Sequence, residues 1–305
     1  MQLIHKIKKC VCNPVATLIL LLGFEKFKFI PDHLYLSIMY RFYLGTKLNL
    51  KNPKTFNEKL QWLKLFNRKN EYTIMVDKYR VRKYVANKIG SEYLIPLIGV
   101  WENVEEINFV TLPNQFVLKC NHNSGTGMCI CKDKSKLDIN HVKRELNKGL
   151  RENYYYLGRE WPYKNVPRKI IAEQFMVDES GSELKDYKVL CFNGEPKLIE
   201  LHQGRFTNHQ SQDYYDLNWN KTSISQGNVA GFGCSTINVA KPKCLEKMIE
   251  LTKILAKDIP QVRIDWYVIN DKLYFGEITF FDGSGFDKFD DPKDDERLGD
   301  WIKII

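Results

Sequence analysis

Two apolar runs, Arg263-Ile264-Asp265-Trp266 and Phe275-Gly276-Glu277-Ile278-Thr279, carry charges where half-buried strands normally carry none. A charge on such a face must be compensated by a partner. With the three-residue connection Asn270-Asp271-Lys272, Ile269 faces Leu273, and the pairing sets Asp265 opposite Glu277 and Arg263 opposite Thr279. Two carboxylates at that separation repel unless a cation or a proton lies between them. The pattern therefore predicts a divalent ion held by Asp265 and Glu277 with Arg263 beside it. A two-residue turn would shift the register by one and separate the two acids. The plainer reading of the same stretch is the polar face of an exposed hairpin.

A second site of chemistry is Lys119 followed by Asn121-His122-Asn123-Ser124-Gly125-Thr126-Gly127. The loop is small, polar and glycine-bearing, so its backbone N–H groups can converge on one anion while Lys119 supplies charge from the strand end. That is phosphate-binding chemistry, although no G-x-x-x-x-G-K-[ST] run occurs and a simple hairpin turn has the same composition. Cys120, His122, Cys129 and Cys131 crowd the same place, but C-x-C lacks the usual zinc-ligand spacing and reads as buried strand cysteine. The acidic run Asp290, Asp291, Asp294, Asp295 and Glu296 reads as a solvated turn.

These residues need elements to position them. Thr55 and Glu58 form a capping box ahead of Leu60, Leu63 and Leu65, and Asp77 caps a further helix running to Gly90. Residues 115–120 and 128–132 make a strand pair around the glycine loop, helix follows from 138 to 153, and 169–176 is a strand. Residues 186–192 and 196–202 form a hairpin across Asn193-Gly194, and 241–258 is helical. The pattern predicts an α+β fold in which antiparallel pairs dominate the second half.

The 305 residues, 44% hydrophobic and 27% charged, have the composition of a soluble globular protein with a substantial core. Eight sparse cysteines and the lack of a secretory-signal pattern point to a reducing cytoplasm. The charge is uneven: residues 1–90 hold 18 Lys and Arg against 5 Asp and Glu, while the remainder is slightly acidic. Within that third, residues 14–24 are apolar but far short of the roughly 20 residues that cross a bilayer. Flanked by Lys26, Lys28, Arg41 and Lys47, they suit either peripheral contact with an anionic membrane face or a core helix with a solvated basic side. No nucleic-acid-binding signature accompanies the charge, so nucleic acid is not expected as a partner.

The ordered motifs VDKYRVRKYV, FVLKCNHNSGTG, YYYLGREWPYKN, IIAEQF, DYKVLCFNGEPK, RFTNH and YFGEITFFDGSGF resemble the TupA-like ATP-grasp family of bacterial surface-polysaccharide loci, from about residue 53 to the C-terminus. The resemblance implies an ATP-grasp fold of two α+β subdomains clasping ATP, preceded by a helical region. It divides the chain into a basic, apolar segment (1–50), a helical region (51–114), a small subdomain with the glycine loop (115–176) and a catalytic subdomain with the metal site (177–305).

It further implies ATP and Mg²⁺ as cofactors. Lys78 and Lys119 would lie at the α- and β-phosphates, with Ser124, Gly125 and Gly127 in the phosphate loop. Glu173 and Phe175 would lie at the adenine hinge, Asp186 with Lys188 beside the ribose, and Arg205 toward the terminal phosphate. Arg263 would be the transition-state arginine and Ser284, between two glycines, an acceptor-binding group. Asp265, Glu277 and Thr279 would be the metal-side residues, Thr279 standing where the superfamily usually has Asn. The implied activity is an ADP-forming carboxylate–amine ligase working through an acylphosphate. Its partners would be the uronic-acid carboxylate of a glycan and the amine of an amino acid or peptide, at the inner face of the cell membrane. A glycosyltransferase of the same pathway is the alternative, against which stands the lack of a donor-site acidic pair.

Overall fold

The computed structural model describes residues 14–179, 184–204, 210–226, 235 and 239–304. Two antiparallel sheets carry the fold. The smaller contains β1 (Leu97–Trp101), β2 (Phe116–Cys120), β3 (Met128–Cys131) and β4 (Ile170–Gln174) in the order β1-β4-β2-β3. The larger contains β5 (Asp186–Phe192), β6 (Glu195–Gln203), β7 (Ser211–Tyr215), β8 (Gln261–Ile269) and β9 (Lys272–Thr279) in the order β7-β6-β5-β8-β9. The α+β expectation is met, and β1, which lies before residue 115, joins the small sheet.

Helices α1 (Pro14–Leu22) and α2 (Asp32–Leu44) form an N-terminal layer with its own core around Ile19, Tyr35, Leu36 and Met39. Next come α3 (Phe56–Phe66), α4 (Glu71–Val76) and α5 (Val81–Ile89). The box at Thr55 is formed: the Glu58 N–H donates to Thr55 Oγ1 at 3.2 Å, and the Thr55 N–H donates to the Glu58 carboxylate at 3.3 Å. Phe56, Leu60, Leu63, Tyr72, Val81 and Val85 of these helices share one core with the large sheet. Asp295, from the acidic run, accepts from the Asn57 N–H at 2.9 Å, so part of that run is structural and anchors α9 (Pro292–Asp300) to the start of α3.

The large sheet is two-faced because side chains alternate along each strand. Val189, Ile199, Ile264 and Trp266 point to the side covered by α8 (Leu245–Ala256), where Trp266 Nε1 donates to Thr252 Oγ1 at 2.8 Å. On the other side, register places Tyr214, Glu200, Lys188 and Asp265 in one row across four strands, with Arg263 and Thr279 paired two positions along. The small sheet repeats the device. Phe116, Leu118, Ile170 and Ala172 pack on α6 (Ile139–Arg151), which the short α7 (Tyr155–Gly158) follows in the chain, while Lys119 and Glu173 face away from α6.

The expected three-residue turn is corrected. Ile269 pairs with Lys272 and Val268 with Leu273, so the connection is the two-residue Asn270-Asp271, both in left-handed backbone at φ 50 and 61. Asn and Asp tolerate that conformation, and such a turn matches the twist of the strands. The predicted pairing of Arg263 with Thr279 survives because a bulge lies between Ile264 and Trp266. Gly276 and Glu277 together span the place opposite Asp265, returning the register to the one that brings the acids together. A Cβ on Gly276 would lie 3.0 Å from the Asp265 carbonyl oxygen, which accounts for glycine there.

In the small lobe, Gly127 (φ 65) meets Gly149 of α6 backbone to backbone. A Cβ on Gly149 would lie 2.5 Å from Gly127 Cα and 2.9 Å from Cys120 Sγ. Gly149→Ala is therefore expected to lower stability by about 1–3 kcal/mol through overpacking. Urea unfolding followed by circular dichroism checks it, and an unchanged midpoint would contradict the close contact.

Candidate functional site

The charged faces of the two sheets meet at the segment leading into α5. Asp77 is buried and caps that segment, accepting from the N–H groups of Tyr79 (2.9 Å) and Arg80 (3.2 Å) and from Asn121 Nδ2 (2.8 Å). This fixes the turn beside the glycine loop, and the Lys78 N–H donates to the Asn121 carbonyl at 3.0 Å. Lys78 then spans the cleft: its Nζ lies 3.0 Å from Glu277 of β9 and donates to the Asn123 carbonyl at 3.0 Å. Arg82, one helical turn on, reaches the small sheet at Glu173 (3.0 Å) and also donates to the Ile95 carbonyl at 2.7 Å.

On the large sheet Arg263 is the hub. Its guanidinium holds Asp265 bidentately, Nε to Oδ1 at 2.7 Å and Nη2 to Oδ2 at 2.8 Å, and also bonds Asp282. Glu277 Oε1 lies 3.8 Å away and Thr279 Oγ1 at 3.4 Å. Burial works against the arginine's charge, but Asp265 and Asp282 more than offset it and hold its pKa well above the ordinary value. Burial pushes Asp265 up to about 7, opposed by Arg263 and assisted by Asp186 and Glu277. Glu277 goes the other way, to about 2: its burial is outweighed by Lys78 and Arg263. The two acids are thus shifted in opposite directions by their surroundings.

The donor set suits a hard divalent cation. Asp265, Glu277 and Thr279 offer only oxygen, and Thr279 Oγ1 donates to Glu277 Oε1 at 3.4 Å. Among the described residues no group of three or more His, Cys, Asp or Glu side chains forms a self-sufficient metal cage. An ion here would draw its remaining ligands from phosphate and water, the usual arrangement for magnesium.

The nucleotide-side candidates fall around the same cleft. Lys119 Nζ lies 2.6 Å from Glu173, whose buried carboxylate is shared with Arg82. Phe175 follows directly on β4, half-buried. Asp186 and Lys188 are buried on the charged face of β5, Lys188 paired with Asp265 on one side and lying 3.8 Å from Glu200 on the other. In the glycine loop, Asn121, His122 and Asn123 are buried struts: His122 Nε2 contacts the Glu152 carbonyl at 3.1 Å and Asn123 Nδ2 donates to the Gly149 carbonyl at 2.7 Å. Ser124 and Gly125 are exposed at the tip, and Gly125 (φ 84) has open space around it. Gly127 is a packing glycine against α6 and does not line the tip. Cys120 and Cys131 belong to the small-sheet core. Arg205 lies outside the described residues.

Ser284 is placed by groups that the sequence reading did not single out. It and Gly283 adopt left-handed backbone (φ 55 and 52). From α3, Gln61 Nε2 donates to the Ser284 and Gly285 carbonyls at 3.1 and 2.7 Å. Lys64 Nζ donates to Ser284 O (2.7 Å), Ser284 Oγ (3.1 Å) and Gly158 O (2.7 Å). Lys64 is fully buried and also lies over the Phe286 ring, 4.8 Å from its centroid. Burial pulls its pKa down to about 7, while Glu160 and Asp32 raise it. The equally buried Glu160, pushed up by its own burial, shares the Ser284 hydroxyl. Lys64 was detectable in principle, since it stands four residues after Leu60 on the apolar stripe of α3. Arg82, Asp282 and Glu160 all lie inside the quoted motifs VDKYRVRKYV, YFGEITFFDGSGF and YYYLGREWPYKN, but the motifs alone gave them no role.

A family model described as TupA-like ATPgrasp matches residues 58–303. The chain belongs to the TupA-like ATP-grasp family. Among solved structures, this ATP-grasp chain is similar to D-alanine–D-alanine ligase from Bacillus anthracis complexed with ATP (16% identity, TM-score 0.40, covering 68% of this chain and 54% of that one). It is also similar to D-alanine–D-alanine ligase from Helicobacter pylori (15%, 0.44, 81% and 69%). A third is the ADP complex of purK, an N5-carboxyaminoimidazole ribonucleotide synthetase (12%, 0.44, 80% and 56%). The chain thus spans about half the length of the first and third of these. No curated protein matches it.

Lys64→Met removes both the buried positive charge that acts on Glu160 and the donor to the Gly158 and Ser284 carbonyls, and is expected to destabilise by about 1–3 kcal/mol. Adding Glu160→Gln should restore part of that loss. A double-mutant cycle by urea unfolding checks the coupling, and strict additivity would contradict it. Burial also lowers the pKa of His122 from 6.5 to about 4. The unfolded chain therefore takes up that proton first, so the stability contributed by neutral His122 is present above about pH 6.5 and drains as pH falls toward 4. Unfolding measured across that window should show a shallower slope for His122→Gln than for the parent.

Proposed function

We propose that this ATP-grasp protein is an ATP- and Mg²⁺-dependent carboxylate–amine ligase of bacterial surface-polysaccharide biosynthesis, joining the carboxylate of a uronic-acid glycan to the amine of an amino acid or peptide. The observation that carries the reading is the cluster in which Lys78 reaches from beside the glycine loop to Glu277, next to Arg263 and Asp265. It sets cationic and acidic side chains from both lobes around one cleft, as transfer of a phosphoryl group requires.

In this reading Lys78 and Lys119 bind the α- and β-phosphates, with the backbone of Ser124 and Gly125 around them and Gly127 holding the loop closed. Glu173 and the backbone at Phe175 receive the adenine, Asp186 the ribose hydroxyls, and Lys188 extends the positive lining toward Asp265. Arg205 approaches the terminal phosphate. Asp265 and Glu277, with Thr279 at their side, would hold a magnesium ion, which would neutralise part of the phosphate charge. The carboxylate oxygen of the glycan attacks the γ-phosphorus, the bond to the ADP oxygen breaks, and ADP leaves. Arg263 stabilises the charge that develops on the transferred group. The amine then attacks the acyl carbon, loses a proton, and expels phosphate. The Gly283-Ser284-Gly285 loop, fixed by Gln61 and Lys64, is suited to hold the acceptor. The four-part division of the chain belongs to the same proposal, with β1 counted to the small lobe, as does a cytoplasmic setting at the membrane face where lipid-linked glycan precursors are built.

Incubation with ATP, Mg²⁺, uronic-acid oligosaccharides and an amino-acid pool should release ADP and phosphate in equal amounts. Glu277→Gln should reduce that release at least 100-fold while leaving the circular dichroism spectrum unchanged. Release of a nucleoside diphosphate from a sugar donor without consumption of ATP would replace the ligase with the glycosyltransferase reading.

A further inference from the structure

The N-terminal layer carries a surface that the ligase chemistry does not use. Helix α1 has the sequence PVATLILLL, and among its nine residues only Ala16 and Ile19 are buried, against α2. Val15, Leu18, Leu21 and Leu22, at i, i+3, i+6 and i+7, lie along one helical stripe and all point outward, Leu21 77% exposed. Phe29 in the following turn (75% exposed) and Leu34 at the start of α2 extend the apolar area. Apart from Thr17 the helix is apolar all round, so burying Ala16 and Ile19 leaves its larger aliphatic side chains facing outward. No described helix is long and apolar enough to cross a membrane. At 1.5 Å per residue α1 is about 14 Å long, half the thickness of a hydrocarbon core.

We propose that α1 and the turn after it lie in the interface of an anionic bilayer, with Leu18, Leu21, Leu22 and Phe29 among the acyl chains. Charge selects lipid over a second copy of this chain. Exposed Lys26 and Lys28 immediately precede Phe29, with Glu25 the one acid in that turn, and Arg41 is exposed on α2. A two-fold contact through this patch would bring like charges together, whereas phosphate headgroups complement them. The layer is also fixed to the catalytic body and not merely tethered. Arg159 Nη2 donates to the Phe27 carbonyl at 2.9 Å and its guanidinium stacks 4.3 Å over Tyr35. Tyr35 Oη donates to the Leu157 carbonyl at 2.9 Å, and Asp32 pairs with Arg68 at 2.9 Å. Docking would thus hold the cleft at a set orientation to the membrane. The inference stands whether or not the acceptor is a glycan carboxylate.

Flotation of the full chain with phosphatidylcholine vesicles containing 30% phosphatidylglycerol, and with phosphatidylcholine alone, tests it. The expected result is binding to the anionic vesicles that falls at least tenfold without phosphatidylglycerol or in about 0.5 M salt. Leu21→Asp with Phe29→Asp should abolish flotation, and Lys26→Glu with Lys28→Glu should weaken it at least tenfold. Because all four side chains are exposed, the thermal midpoint should not move. Absence of flotation at low salt, binding that the aspartate substitutions leave intact, or a dimer by sedimentation that Leu21→Asp dissociates would each overturn the proposal.

Discussion

One buried guanidinium sets the terms for the rest of the molecule. Arg263 lies buried on a strand of the β8–β9 hairpin, and a charge there is tolerated only because Asp265 and Asp282 face it in hydrogen-bonding geometry. Those acids must in turn be carried by elements that cannot drift. Asp265 sits opposite the bulge at Gly276, and Asp282 opens the turn that leads to Ser284. Lys78 completes the balance from the far side of the cleft, so the alignment of the two lobes and the charge balance of the site are the same problem. An isolated carboxylate at any of these positions would be taken from water without return.

Much of this was legible in the sequence because charges inside strand alternation are costly and therefore conspicuous. Arg263, Asp265 and Glu277 were visible on that ground, as were the helix signalled by Thr55 and Glu58 and the hairpin across Asn193-Gly194. The Asn270 turn was misread by one residue. Periodicity fixes which face a side chain takes but does not reveal where an extra residue is accommodated, and the glycine at 276 that absorbs it looks like any strand glycine. Glu160, Lys64 and Gln61 escaped for a different reason. Their partners lie 94 to 224 residues away in the chain, and only the packing of α3 against the turn after β9 brings them together.

That packing ties the helical region before residue 115 to the catalytic sheet. Leu60 and Leu63 contribute to the same core as Ile264 and Ile278, and Gln61 and Lys64 on the same helix hold the backbone of the loop after β9 in a conformation that a serine adopts at a cost. The buried lysine spends all three of its donors on that loop and the neighbouring Gly158, so it acts as a fastener and not as a solvated charge. The region is therefore an integral wall of the site.

The contact between Gly127 and Gly149 has a consequence for how the glycine loop can vary. Both ends of the loop are pinned, one by the buried amide of Asn121 and the other by a backbone approach that admits no side chain on either partner. Length changes and new side chains can enter only at the solvent-facing crest formed by Ser124 and Gly125. Variation in the exposed surface of this loop is thereby concentrated at two adjacent positions, while the buried Asn121, His122 and Asn123 and the glycine contact fix its path.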